Sequence, residues 1–146
     1  MKFPIFTISN KSGGVTINGM IGFGRIARNI KKAQWRLDTQ VMQDMIPYMP
    51  QETGAFINNT LAQSSAMAGT GKVCAGAPPM GRFLYEGKVM VDPLTGSAWA
   101  RKGAKKVVTD KPLTYGNPQA VPHWFDKAKL LHSKDWVKLV NDTLKE

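Results

Sequence analysis

The segment Ile21-Gly22-Phe23-Gly24-Arg25-Ile26-Ala27 fits the spacing Gly-x-Gly-x-x-Gly/Ala. In that motif the glycines let backbone approach a pyrophosphate, which a helix N-terminus then holds. Asp44 follows at about the spacing of an acid that binds a ribose hydroxyl. The chemistry requires a buried strand before the first glycine and a second strand ending at the acid. Here Thr16-Ile17-Asn18-Gly19-Met20 is short and carries its own Asn-Gly turn signal, and Asp44 falls inside a helical pattern. The chain also lacks the alternating strand–helix units of a doubly wound sheet. The match is therefore read as chance, with Gly22 and Gly24 permitting a bend before a long helix. A nucleotide-using enzyme is the most distant of three readings.

The other reactive side chains form no constellation. His123 and His132 are nine positions apart, which is not a helical metal pair, and a single cysteine cannot complete a zinc site. They read as helix-end or surface histidines. Ser64 and Ser65 lack a nucleophile-elbow context. Glu52 and Glu86 have nothing in the sequence to bring them together as a carboxylate pair, so turn or surface roles are expected. Gly69-Thr70-Gly71-Lys72 lacks the glycine spacing and the hydroxyl residue of a phosphate loop and reads as a hairpin turn. Cys74 sits in an apolar setting that suits a small buried hydrophobe. No catalytic residue, cofactor or metal is expected.

The elements that would position these residues follow from periodicity. Ile26, Ile30, Ala33, Leu37, Val41 and Met45 recur at steps of three and four, which predicts one helix from Phe23 to Ile46, stopped by Pro47. Arg25, Arg28, Lys31, Lys32 and Arg36 occupy its other faces and are expected to meet DNA or an acidic partner. Before it, residues 1–18 read as an arm or hairpin, with Phe3, Ile5 and Phe6 as contact residues. After it, 54–63 and 71–76 read as paired strands, and Met80 to Tyr85 as a short helix. Val89-Met90-Val91 and Ser97-Ala98-Trp99-Ala100 flank the turn Asp92-Pro93-Leu94-Thr95-Gly96 as a short hairpin.

Residues 88–121 as a whole read as a long loop, which in a compact domain is expected to serve an interaction. Its contact candidates are Trp99, Arg101, Lys102, Lys105, Lys106 and Tyr115. Pro122 suits a helix start, His123 to His132 reads as one helix, and Ser133 as the cap of a second. Trp35, Trp99, Trp124 and Trp136 are read as core or interface anchors.

With 146 residues, 42% of them hydrophobic, the chain suits one domain with a real core, taken as 19–146. No apolar run approaches the ~18–20 residues that span a bilayer, and Met1 to Ile8 is too short and proline-broken for a signal peptide. The net charge of +10 is concentrated at both ends: residues 1–50 hold seven Lys/Arg against two acids, and 101–146 hold ten against five. This suits acidic partners or a polyanion, and equally a solvated surface.

In order and spacing, Pro47-Tyr48-Met49-Pro50-Gln51-Glu52-Thr53-Gly54, Arg82-Phe83-Leu84-Tyr85-Glu86-Gly87-Lys88, Val89-Met90-Val91-Asp92-Pro93-Leu94-Thr95-Gly96 and Pro122-His123-Trp124-Phe125-Asp126-Lys127-Ala128 resemble the minor capsid (neck, or tail-completion) proteins of tailed bacteriophages. Family members usually have Asp-Thr-Gly where this chain has Glu52-Thr53-Gly54 and often follow it with Leu-Arg, where Ala55-Phe56 stands here. The resemblance covers roughly Phe23 to the C-terminus.

It implies an α+β fold, a long helix packed on a small antiparallel sheet, with arm, loop and C-terminal helices, and Pro50, Glu52, Thr53 and Gly54 forming a structural turn. It implies a non-enzymatic virion protein whose copies form a ring joining the DNA-filled head to the tail. The implied partners are the chain itself, portal-side connector, neck and tail proteins, and possible contact with passing genomic DNA, without a membrane. Assembly would take place in the host cytoplasm. The alternative reading is a small basic nucleic-acid-binding protein acting alone.

Overall fold

The apolar stripe on residues 26–45 does form a helix. The computed structural model describes residues 20–51, 53–76 and 80–146, and in it α1 spans Met20–Met45. At 1.5 Å per residue it is about 39 Å long. Pro47 ends it as expected: a 3-10 turn, Ile46–Tyr48, replaces the α-ladder, and Met49 N–H donates to the Ile46 carbonyl at 3.1 Å. The fingerprint segment Ile21–Ala27 lies wholly within α1, so Gly22 and Gly24 are helical and the bend expected ahead of the helix is not at them. Residues 1–18, expected as an arm or hairpin with Phe3, Ile5 and Phe6 as contacts, lie outside the described residues.

The described residues form a small α+β arrangement of helices and one two-stranded antiparallel sheet. The elements after α1 are α2 (Ala55–Met67), α3 (Met80–Glu86), β1 (Lys88–Val91), β2 (Val107–Pro112) and α4 (Trp124–Lys145). The main partner of α1 is α4, and the two run antiparallel. Asn29 on α1 reaches the Leu144 carbonyl, Arg36 reaches Thr143, and Asp44 reaches Trp136. Val41 and Met45 of α1, Met49, and Trp124, Ala128 and Trp136 of α4 make the buried core. Phe56 and Tyr85 meet the Trp124 ring edge-to-face, with centroids 5.9 and 4.8 Å away.

Three sequence expectations are corrected here. The strand expected at 54–63 is the helix α2, and 71–76 forms no strand. The buried face of α2 carries two hydroxyls, Thr60 and Ser64, which hid its helical period behind polar letters. Those hydroxyls serve the extended backbone that follows: Gly76 N–H donates to Thr60 Oγ1 at 2.8 Å, Cys74 N–H donates to Ser64 Oγ, and Ser64 Oγ donates to the Cys74 carbonyl. Buried backbone groups that a strand partner would have satisfied are satisfied by side chains instead.

The strand Val89–Val91 pairs not with Ser97–Ala100 but with Val107–Pro112, in the register Met90 to Val108 and Val91 to Val107. The β-branched run Val107-Val108-Thr109 is the better strand, and Thr109 Oγ1 adds a bond to the Val89 carbonyl at 2.7 Å. Residues 88–121 are thus partly regular.

The two C-terminal helices expected around Ser133 are one. Trp124, Ala128, Trp136 and Thr143 are buried along a single helix that holds no Gly or Pro. The segment before it straps the fold together. Asn117 donates to the Pro47 and Met49 carbonyls at 3.0 Å each, Val121 N–H to Tyr48 O, and His123 N–H to Tyr85 O. His123 closes the strap at φ 53, a left-handed conformation that is uncommon outside glycine.

Candidate interaction surface

Between β1 and β2 the chain makes an excursion, 92–106, organised from inside by one carboxylate. Asp92 is fully buried. Its oxygens accept from Leu94 N–H at 2.9 Å, Arg101 N–H at 3.1 Å, and the Arg101 guanidinium at 2.9 and 3.2 Å. Its own backbone closes the turn, donating to Ser97 O and accepting from Gly96 N–H, each at 2.8 Å. Ser97 Oγ then takes the Trp99 N–H at 3.1 Å. The Arg101 guanidinium and these N–H groups hold the Asp92 carboxyl well below the usual carboxylate range. The expected turn at 92–96 is therefore present, and it is stiff.

What the stiff loop displays is apolar. Trp99 is 88% exposed and Leu94 77%. The hydrogen bonds of the loop fix the backbone on which these two apolar side chains stand. Lys102, Lys105 and Lys106, which follow Trp99 in sequence, are exposed.

The remaining contact residues expected from sequence divide between engaged and exposed side chains. The Arg101 head group is committed to Asp92. Tyr115 donates its hydroxyl to the Leu84 carbonyl at 2.6 Å, and burial pushes its phenol pKa up. On α1, Arg28 and Lys31 are exposed. Arg25 instead reaches the Glu146 backbone oxygen at 2.7 Å, and Lys32 and Arg36 both pair with the Glu146 carboxylate. Those two cations hold the Glu146 carboxyl below its ordinary value. At the structural turn, Pro50 is buried, Thr53 Oγ1 accepts from Ala55 N–H at 3.4 Å, and Gly54 stands at φ 76 before α2. Glu52 lies outside the described residues.

Opposite in character to the tip is a groove of about 640 Å³, lined by Leu37, Val41 and Met45 of α1, by Val73 and Cys74, and by Phe125 of α4. Asp38 and Lys72 also line it. Asp38 is spent on structure, its Oδ2 accepting from Gly69 and Gly71 N–H at 2.7 and 2.9 Å. That carboxylate, rather than a hairpin, shapes the Gly69–Lys72 turn. Tyr85 closes one side of the groove. Beside it, Glu86 and Asp126 flank His123, each 3.8 Å from an imidazole nitrogen, and make an acidic corner.

Sequence reasoning missed three features of this surface. Leu94 is placed in the turn 92–96 with no contact role, although an apolar residue between Pro93 and Thr95-Gly96 is a visible signal. The organising role of Asp92 was foreshadowed by an arginine nine positions on. On α4, Leu130, Val137 and Leu144 recur every seven residues and are all exposed, an apolar row on the side away from the core.

Among the described residues, no three of His, Cys, Asp and Glu come together where they could hold a metal ion. No helix among them is long and apolar enough to cross a membrane. Comparison with protein families, with curated proteins and with solved structures finds no match.

Proposed function

We propose that the chain is a structural protein of a tailed-phage neck, whose copies associate into a closed ring between the DNA-filled head and the tail. The observation that carries this reading is the display of Trp99 and Leu94 on a loop whose backbone is held by the buried Asp92 carboxylate and its pairing with Arg101. Such a tip suits a protein contact, where a fixed aromatic anchor loses little entropy on docking. The exposed apolar row on α4 and the exposed Ile26 and Ile30 on α1 add further apolar surface without a partner among the described residues. The resemblance of the Pro47–Gly54, Arg82–Gly96 and Pro122–Ala128 segments to neck proteins supplies the biological setting. The α+β class accords with the fold that resemblance implies, with α1 packed mainly on α4 where the resemblance implies packing on the sheet. Shape, on this reading, is the whole activity, and no reaction is assigned to the chain. Deleting the gene from the phage that encodes it tests the reading. Full heads without tails are expected, and normal yields of infectious particles would contradict it.

A second reading, a small basic nucleic-acid-binding protein, rests on Lys102, Lys105 and Lys106. None of them enters an ion pair among the described residues, and all follow an exposed tryptophan within seven positions of the sequence. The engagement of Arg25, Lys32 and Arg36 by Glu146 weakens it on α1. Duplex or single-stranded DNA binding by the isolated chain, falling steeply with salt, would favour this second reading.

A further inference from the structure

We propose that the Leu94–Trp99 tip of one copy docks into the α1 groove of the next copy, so that tip and groove are the two halves of one repeating contact. The inference rests on the connector reading and names the surfaces by which the ring would be built.

Three observations lead to it. Trp99 does not fill the groove of its own chain, because it is 88% exposed. The groove is apolar along Leu37, Val41, Met45, Val73 and Phe125, and its volume of about 640 Å³ has room for a tryptophan ring and a leucine side by side. The charges match: the tip is followed by Lys102, Lys105 and Lys106, and the groove-lining Tyr85 donates its hydroxyl to Asp126 at 3.4 Å, which with Glu86 flanks His123 as the acidic corner. Lys72 is the one cation among the groove's described lining residues. An anchor that enters an apolar slot while its basic flank meets an acidic rim is the usual anatomy of a protein contact.

Tip and groove are different surfaces of one chain. Their contact is therefore heterologous: every copy offers a tip to one neighbour and a groove to the other, and repetition closes into a ring when the rotation per step allows. A nucleic acid would satisfy the three lysines but would be repelled by Glu86 and Asp126, which leaves the groove unused. A second copy uses all of these features at once.

The chain's sole cysteine makes the test direct, because Cys74 lines the groove. Ala98→Cys places a thiol next to Trp99 without removing it. The purified full chain is followed by sedimentation velocity over a range of concentrations, then oxidised and mapped by mass spectrometry. The expected result is concentration-dependent association and a ladder of multimers linked between positions 74 and 98. In Ala98→Cys/Cys74→Ser that linkage disappears and only dimers joined at position 98 remain. Trp99→Ala, at an exposed site, keeps the wild-type circular dichroism and melting and associates at least about 30-fold more weakly.

If the wild-type chain associates but position 98 never links to Cys74, or if Trp99→Ala associates as the wild type does, the docking is wrong and the ring reading survives. A wild-type chain that stays monomeric throughout overturns both.

Discussion

Asp92 and Arg101, nine positions apart, are joined by two hydrogen bonds of 2.9 and 3.2 Å from the guanidinium to a carboxylate that has no exposure to water. Their pairing turns a solvent excursion into a rigid bracket, and Trp99 stands on that bracket.

The pair has a definite pH signature. A carboxyl held below its ordinary value stabilises the fold in full above the unfolded pKa of 3.8, and that contribution is lost as the pH falls below it. Asp92→Asn should therefore melt below the wild type near neutral pH and be cut faster by protease around Trp99. The melting gap should narrow as acid is added below pH 3.8. A gap that holds constant into strong acid would show that the charge of Asp92 is not what organises the loop.

The hydroxyls on the buried face of α2 should matter more than their polarity suggests. Thr60→Val keeps the volume but leaves the Gly76 N–H without its 2.8 Å acceptor. The cost should be about 1–3 kcal/mol in urea unfolding, as for other buried donors left unpaired. A neutral substitution would place water or another acceptor at Gly76.

Two glycines should respond with opposite signs. A Cβ at Gly76 would stand 1.9 Å from Phe56 Cε2, at φ +72, so Gly76→Ala should destabilise by roughly 2–5 kcal/mol. A Cβ at Gly24, inside α1, meets nothing within 4 Å, so Gly24→Ala should stabilise by about 0.5–1 kcal/mol. Thermal melts of the two variants check both. A loss of stability at Gly24 would reveal a close approach at the fingerprint segment.

The lysines that follow the tip should act through long-range charge. Replacing Lys102, Lys105 and Lys106 together by Gln should leave the melting temperature within the scatter of surface substitutions, about 0.5 kcal/mol or less. It should slow self-association at low salt and flatten its salt dependence. Stopped-flow association at two ionic strengths distinguishes this from a variant that has lost the docking surface itself.

Much of the architecture was written in periodicity. The row from Ala33 to Met45 marked α1, Pro47 marked its end, Met80–Tyr85 marked α3, and Pro122 marked the start of α4. Elements were misread where polar residues sit in the core or where local signals are incomplete. Thr60 and Ser64 are letters of a surface, yet their partners are backbone groups of residues 74 and 76 that no local window contains. Ser133 resembles a cap, but Trp124 and Trp136 on either side of it bury against the same α1 face and carry the helix through.

The strand Val107–Pro112 was masked by lysines before it and by Asp110 and Lys111 within it, because both of its faces are largely exposed. Of the surface, Trp99 and the basic residues after it were legible from composition. The groove was not, since it is assembled from α1, residues 71–75 and the start of α4, which only the tertiary packing brings together.

The most direct test of the connector account is a side-chain-resolution reconstruction of the phage particle whose genome encodes this chain. The account predicts a closed ring of copies at the junction of head and tail. Particles with full heads and attached tails but no copy of the chain at that junction would contradict it.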